Sequence, residues 1–270
     1  MLQNGGLRWH QPPGQHPHAG AEAGTAAGSG GGGVSRVEKP LPQVNIEANI
    51  EAFFENPSGN YCLPDKRNAS FDYCYNYFQG FRKDNKISEI ASDENLEMSC
   101  LQIGFYLASW GMLRGSAFLS QKSVAHYSKL IKYISEFQED FWAIDVADYN
   151  KTGVAEKILK CEKQIREIVS EGTGKKRIAS ETLTTKIMLG VFGNIPAFDS
   201  YFLKGFENIY ISEAALKKIY NFYSENINIL DRYEIPTIRG EFKLLAHHSD
   251  GPSVPLGACD TPTLFGVCCS

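Results

Sequence analysis

Through the middle of the chain, apolar residues return every three or four positions, the spacing of one face of an α-helix. Ile46, Ile50, Phe53 and Phe54 make the first such face, with Asn45 as a cap before it and Asn56-Pro57-Ser58-Gly59 as a stop after it. Ser70 is placed to cap a second helix, carrying Phe71, Cys74, Tyr75 and Phe78. Ser92-Asp93-Glu94 has the order of a helix start, a capping hydroxyl followed by acids in the first turn. It opens the most apolar stretch, Leu96 to Leu119, where Cys100, Leu101, Ile103, Phe105, Leu107, Trp110, Met112 and Leu113 cover nearly every face. This pattern predicts a central helix over about 93–119, buried on all sides. A membrane span has the same look, but Gln102, Arg114 and the lack of a basic cluster at either end favour a soluble helix. Gly104, Ala108, Gly111 and Gly115 would let neighbouring helices approach it closely.

The pattern continues in the same period. Tyr127, Leu130, Ile131, Ile134 and Phe137 mark one helix, with Lys129 and Lys132 on its outer face. Val154, Ile158, Cys161, Ile165 and Ile168 mark another, ended by Gly172. Leu183, Ile187, Met188 and Val191 share a face that Gly193-Asn194 stops, and Pro196 suits the first turn of a following helix. Phe198, Phe202 and Phe206 then form a stripe, with Asp199 at or near the helix start. Ser212 caps a last helix through Leu216, Ile219, Tyr220, Tyr223, Ile227 and Leu230. No stretch alternates as a half-buried strand does, so the expected class is all-α: a compact multi-helix domain between disordered tails.

The ends differ in kind. Residues 1–43 have no apolar period and are rich in Gly, Pro and His; from 239 to 270 the chain is again Pro-, Gly-, Ser- and Cys-rich. Such segments bury too little apolar surface to offset their ordering entropy and are expected to be disordered. Their composition contrasts with the Asn-, Ile- and Lys-rich body over 44–238, as if both tails were foreign to it. His10, His16 and His18 have no spacing that fixes a metal geometry. At 270 residues, 43% hydrophobic and 12% aromatic, the chain can bury a sizeable core. A net charge of −4 argues against a strongly basic nucleic-acid surface, while leaving room for a local patch. Seven cysteines without CxxC spacing, and no signal-peptide order at the start, place the protein in a reducing compartment, the cytoplasm.

Candidate chemistry is narrowed by histidine. The body holds one, His126, so a two-histidine zinc site and a di-iron bundle with two ExxH motifs have no donors. There is no GxSxG elbow for a Ser-His-Asp site. No cofactor and no metal are implied. Asp145 and Asp148, at i and i+3, could share a cation, but solvated carboxylates before a helix are commoner. Tyr73, Tyr75 and Tyr77 could stack on bases, although core packing is the plainer use of them. What remains is carboxylate or lysine chemistry, or none. Asp199 is the carboxylate best placed for it. Arg114, a charge within apolar sequence, needs a carboxylate, carbonyls or an anionic ligand as partner. Lys175, Lys176 and Arg177, after Gly172-Thr173-Gly174, form a basic loop able to contact phosphate, or one that is merely solvated.

Two resemblances add to this reading. Thr185-Lys186-Ile187-Met188 followed by Ile195-Pro196-Ala197-Phe198-Asp199 resembles the second half of the helix-hairpin-helix motif of base-excision DNA glycosylases. That resemblance implies Asp199 as the catalytic carboxylate, stabilising a cationic sugar or activating a nucleophile, and Lys186 as the motif lysine. Ser180-Glu181-Thr182-Leu183-Thr184 stands where the family has its Gly-x-Gly hairpin. The body as a whole, above all residues 71–78 and 105–116, resembles a group of uncharacterised bacterial all-helical proteins, which implies no activity. Two functions therefore stay open. One is a structural or interaction module in which Asp199 is only a helix cap. The other is a nucleic-acid-processing protein built on Asp199, Lys186 and Arg114, with Lys175, Lys176 and Arg177 on phosphates. The sequence names no partner: nucleic acid and another protein both stay open, and no membrane is expected.

Overall fold

A helix with one apolar stripe is stable only when that stripe is covered, so the arrangement follows from which faces need cover and how much. The structure is a computed structural model describing residues 45–55, 67–115, 117–172, 178–206, 209–238 and 243–245, all within the compact unit Leu41–Ser270. The tails over 1–43 and beyond 245, and the loop Lys175, Lys176 and Arg177, lie outside the described residues.

The helices are α1 (Ile46–Glu55), α2 (Ser70–Lys83), α3 (Leu96–Ser109), α4 (Ser128–Ile134), α5 (Glu139–Trp142), α6 (Val154–Ser170), α7 (Glu181–Phe192), α8 (Ser200–Gly205) and α9 (Glu213–Leu230). Short 3₁₀ turns at Ile87–Ala91, Phe118–Gln121, Val124–Tyr127 and Val146–Asp148 join several of them. The all-α class holds. Several expected caps are in place: Asn45 Oδ1 accepts from Ala48 N–H (3.0 Å), Ser180 Oγ from Leu183 N–H (3.2 Å), and Ser212 Oγ from Ala215 N–H (3.2 Å). Ser70 does not cap; it is the first residue of α2, and its buried hydroxyl bonds none of the α2 amides.

The helix enclosed on every side is α7, not the stretch over about 93–119. Every α7 residue from Leu183 to Phe192 is buried, under α2, α3 and α6. Polar groups on it are satisfied internally: Thr185 Oγ1 donates to Glu181 O (2.7 Å), and Thr184 Oγ1 to the buried Glu162 carboxylate, which Arg166 also binds. Gly190 is needed for the closest approach, because a Cβ there would stand 2.5 Å from the Tyr106 ring of α3. Tyr106 Oη, lodged in that gap, donates to Lys186 O (3.1 Å). From α2, Gln79 Nε2 donates to Val191 O (2.9 Å) and Phe192 O (3.2 Å), two of the carbonyls a helix end leaves open.

The long apolar stretch is shorter as a helix and one-sided. A 3₁₀ turn and a further turn occupy the residues before Leu96, and the helix ends at Ser109 where Gly111 takes φ +81°. Met112 N–H closes back on Leu107 O (2.8 Å), the bond a glycine-terminated helix makes. Ser99, Cys100, Ile103, Gly104, Tyr106 and Leu107 are buried, whereas Met98, Leu101 and Phe105 face outward.

After α7, Gly193 takes φ +70° and the chain runs without helix through Pro196 to Asp199, so Pro196 lies in the connector rather than in a first turn. Phe198, Phe202 and Phe206 are buried in a column of rings 4.6 and 4.8 Å apart that ends on Phe222 of α9. Beyond α9, β1 (Glu234–Pro236) pairs antiparallel with β2 (Lys243–Leu245), Ile235 opposite Leu244. This ribbon has no alternating signal in the sequence, and it carries backbone pairing past residue 238. Just after β1 the chain is fastened to α2, where Asp72 Oδ2 accepts from Ile238 N–H (2.9 Å) and Asn76 Nδ2 donates to Ile238 O (3.0 Å).

Candidate functional site

Asp199 is the N-cap of α8. Its Oδ1 accepts from Tyr201 N–H (3.1 Å) and Phe202 N–H (3.2 Å), two amides that open a helix and have no partner within it. Threonines of α7 hold the preceding residue: Phe198 N–H donates to Thr185 Oγ1 (2.9 Å), and Thr182 Oγ1 donates to Phe198 O (2.8 Å). The carboxylate is thereby fixed against α7, with Oδ2 3.8 Å from Lys186 Nζ. Both residues are buried, at 8% and 6% exposure. Lys186 Nζ also donates to Trp110 O (3.4 Å) and lies 5.3 Å from the centre of the Trp110 ring. Burial lowers the proton affinity of Lys186; the Asp199 charge opposes that shift, while Arg114 and Arg67 reinforce it.

The structure thus brings Lys186 and Asp199 together and adds Trp110, which is 76 positions from Lys186 and carries no local signal of the meeting. Arg114 is near enough to act on Lys186 electrostatically, but it is exposed, beyond the end of α3, with its guanidinium folded over Gly111. It is not a charge enclosed in an apolar helix, so solvent supplies what a buried partner would have supplied. Chemically, the assembly is a joint: one carboxylate oxygen closes a helix end and the other neutralises a buried lysine. Asp145 and Asp148 are likewise committed to caps, with Val146 N–H donating to Asp145 and Asp145 N–H to Asp148 Oδ2 (3.0 Å), while Lys151 pairs with Asp148. His126, half-buried, donates from Nε2 to Val169 O at 3.0 Å. Among the described residues no group of three or more His, Cys, Asp or Glu could hold a metal ion, and no helix is long and apolar enough to cross a membrane.

Two surface features stand apart from that joint. One is a groove of about 800 Å³ at the start of α6 beside α9, edged by Lys151, Lys160, Lys163 and Lys217 with Glu156 and Glu213 between them. Neither Asp199 nor Lys186 lines it. The other is the outer face of α3, where Met98 is 47% exposed, Leu101 41% and Phe105 67%, continued by exposed Ala108. At 100° per residue these four and Glu97 fall in one arc, and Glu94 just before the helix extends it. The two acids were the available sign that this arc meets solvent. Apolar count alone had placed Leu101 and Phe105 in the core.

Compared with family models, with curated proteins and with solved structures, the chain has no match in any of the three.

Proposed function

We propose that this protein is a helical interaction module that docks a partner protein through the outer face of α3. The observation that carries the reading is the contiguous apolar stripe Met98–Leu101–Phe105–Ala108 on a helix whose opposite face is fully buried. Isolated exposed apolar residues are ordinary; a stripe with i, i+3, i+7 spacing is the signature of a helix that lies against another amphipathic helix. A photoreactive phenylalanine analogue in place of Phe105 tests it in the native cell. The expected result is an adduct with an apolar helical segment, identified by mass spectrometry. The same analogue at Tyr210, exposed at 74% and outside the stripe, should give none. No protein adduct at 105, or equal adducts at both positions, overturns the reading.

A second reading, nucleic-acid processing centred on Asp199, draws support from the 3.8 Å approach of Lys186 to that carboxylate. Both Asp199 oxygens already have protein partners, which favours the joint over the active site. Binding of duplex DNA at low salt, lost on salt titration and in Arg114→Glu, would revive the catalytic alternative. Its absence at low salt removes it.

A further inference from the structure

The joint between α7 and α8 leaves hydrogen-bond donors over. Trp110 Nε1 is buried and has no acceptor among the described residues. Lys186 Nζ lies over the same ring and makes one bond, the 3.4 Å one to Trp110 O, although an ammonium can make three. Asp199 Oδ2, at 3.8 Å, neutralises it from beyond hydrogen-bond reach. Arg114 has no acceptor among the described residues for any of its N–H groups. The turn at Gly111 (φ +81°) folds that guanidinium back: Arg114 Nε and Cζ stand 3.1 and 3.2 Å from where a Cβ at 111 would be, one residue from the carbonyl that Lys186 binds.

Charge is unbalanced in the same place. Asp199, Arg114 and Arg67 are the charged groups that act on Lys186, so three cations meet one carboxylate. That carboxylate has already given Oδ1 to the amides of α8. A cluster rich in donors, poor in acceptors and positive overall is complementary to an oxyanion; water can fill the hydrogen bonds but not balance the charge. We infer that Arg114, Lys186 and the Trp110 indole together bind phosphate, free or as the monoester of a small molecule, at the solvent edge of the α7–α8 joint. Exposed Arg114 meets the anion first, its planar fork matching two phosphate oxygens. Lys186, with 7% of its side chain exposed, supplies charge from within, and the indole adds a neutral donor. The α3 stripe takes no part and Asp199 performs no chemistry, so the site stands apart from both functional readings.

Titration of the full chain in a phosphate-free chloride buffer, followed through the indole N–H resonances of its three tryptophans, tests this. The Trp110 resonance, assigned by its loss in Trp110→Phe, should move downfield and saturate with inorganic phosphate or with phenyl phosphate. Equal affinity for the two identifies free phosphate as the ligand, and tighter binding of phenyl phosphate identifies a monoester; either supports the site. Calorimetry should show binding weakened about 10-fold or more in Arg114→Gln, which alters an exposed side chain, and weakened in Trp110→Phe. Lys217→Gln, which removes an equal charge from the α6–α9 groove, should bind as the wild type does. No saturation by about 10 mM of either anion, equal losses in Arg114→Gln and Lys217→Gln, or unchanged affinity in Trp110→Phe overturns the inference. Duplex DNA that binds where neither small phosphate does also overturns it, and returns Arg114 to the nucleic-acid reading.

Discussion

Asp72 has only 1% of its surface exposed, and burial pushes its carboxyl up to about 7, against the opposing pull of the Ile238 N–H. The unfolded chain gives up this proton near the usual carboxylate value, whereas the folded chain holds it until about pH 7. Between those limits the unfolded state binds fewer protons, so this residue's contribution to stability falls as pH rises from about 4 to about 7. Asp72→Asn keeps an acceptor for Ile238 N–H and removes the titration. Its stability relative to wild type should therefore climb by a few kcal/mol over that window in urea denaturation. A pH-independent difference would show that Asp72 is already ionised at no cost. Asp199 separates two roles in a similar way. Asp199→Asn preserves a cap oxygen but leaves Lys186 buried without its counter-charge, while Asp199→Ala loses the cap as well, for about 1 kcal/mol more. Without the carboxylate, Lys186 is pushed further below its ordinary value. Both variants should then regain stability as pH rises toward 10, because the folded form sheds the proton before the unfolded form does. Equal losses at pH 7 and pH 9.5 would contradict the pairing.

At the scale of elements, the α3–α7 contact is the tightest demand the fold makes on sequence. Gly190→Ala should destabilise by about 1–3 kcal/mol, since its methyl meets the Tyr106 ring rather than a flexible chain end. Tyr106→Leu in the same chain should recover part of that loss. Additive losses in the double variant would mean that the two helices separate instead of clashing. Most helix spans were legible from spacing and caps: Ser180 and Gly193 bracket α7, and Ser212 opens α9. Which helix would be central was not. Apolar count favours Leu96 to Leu119, yet α7 carries Thr184, Thr185 and Lys186 and is more deeply enclosed, because Glu162, Trp110 and Asp199 satisfy Thr184 and Lys186 from distant positions while Thr185 bonds Glu181 O and Phe198 N–H. A sequence displays the polar groups of a helix but not the partners that make them buriable. The Lys186–Asp199 meeting was legible only through a motif resemblance. The β1–β2 ribbon, three residues a side, is too short for alternation to register.

For the whole molecule, the contrast between one committed interior and one uncommitted face organises what can be changed. Replacing Met98, Leu101 and Phe105 together by Gln should leave the thermal midpoint of the dilute protein within about 2 °C, because exposed positions contribute little to folding. A drop of about 10 °C would mean that the stripe is covered within the same chain. The same division accounts for the Lys186–Asp199 pair: enclosed as it is, it reads as an investment in the joint between α7 and α8.

The bond from Ile238 back to Asp72 spans 166 positions. During synthesis the helical body emerges first, with the Asp72 carboxylate lacking its backbone donor until residue 238 has left the ribosome. Folding before that point leaves a polar group waiting at the foot of α2, and folding after it joins the segment beyond α9 to α2. A nascent chain that stops short of Ile238 can therefore form its helices but lacks both bonds that tie the residues after β1 to α2.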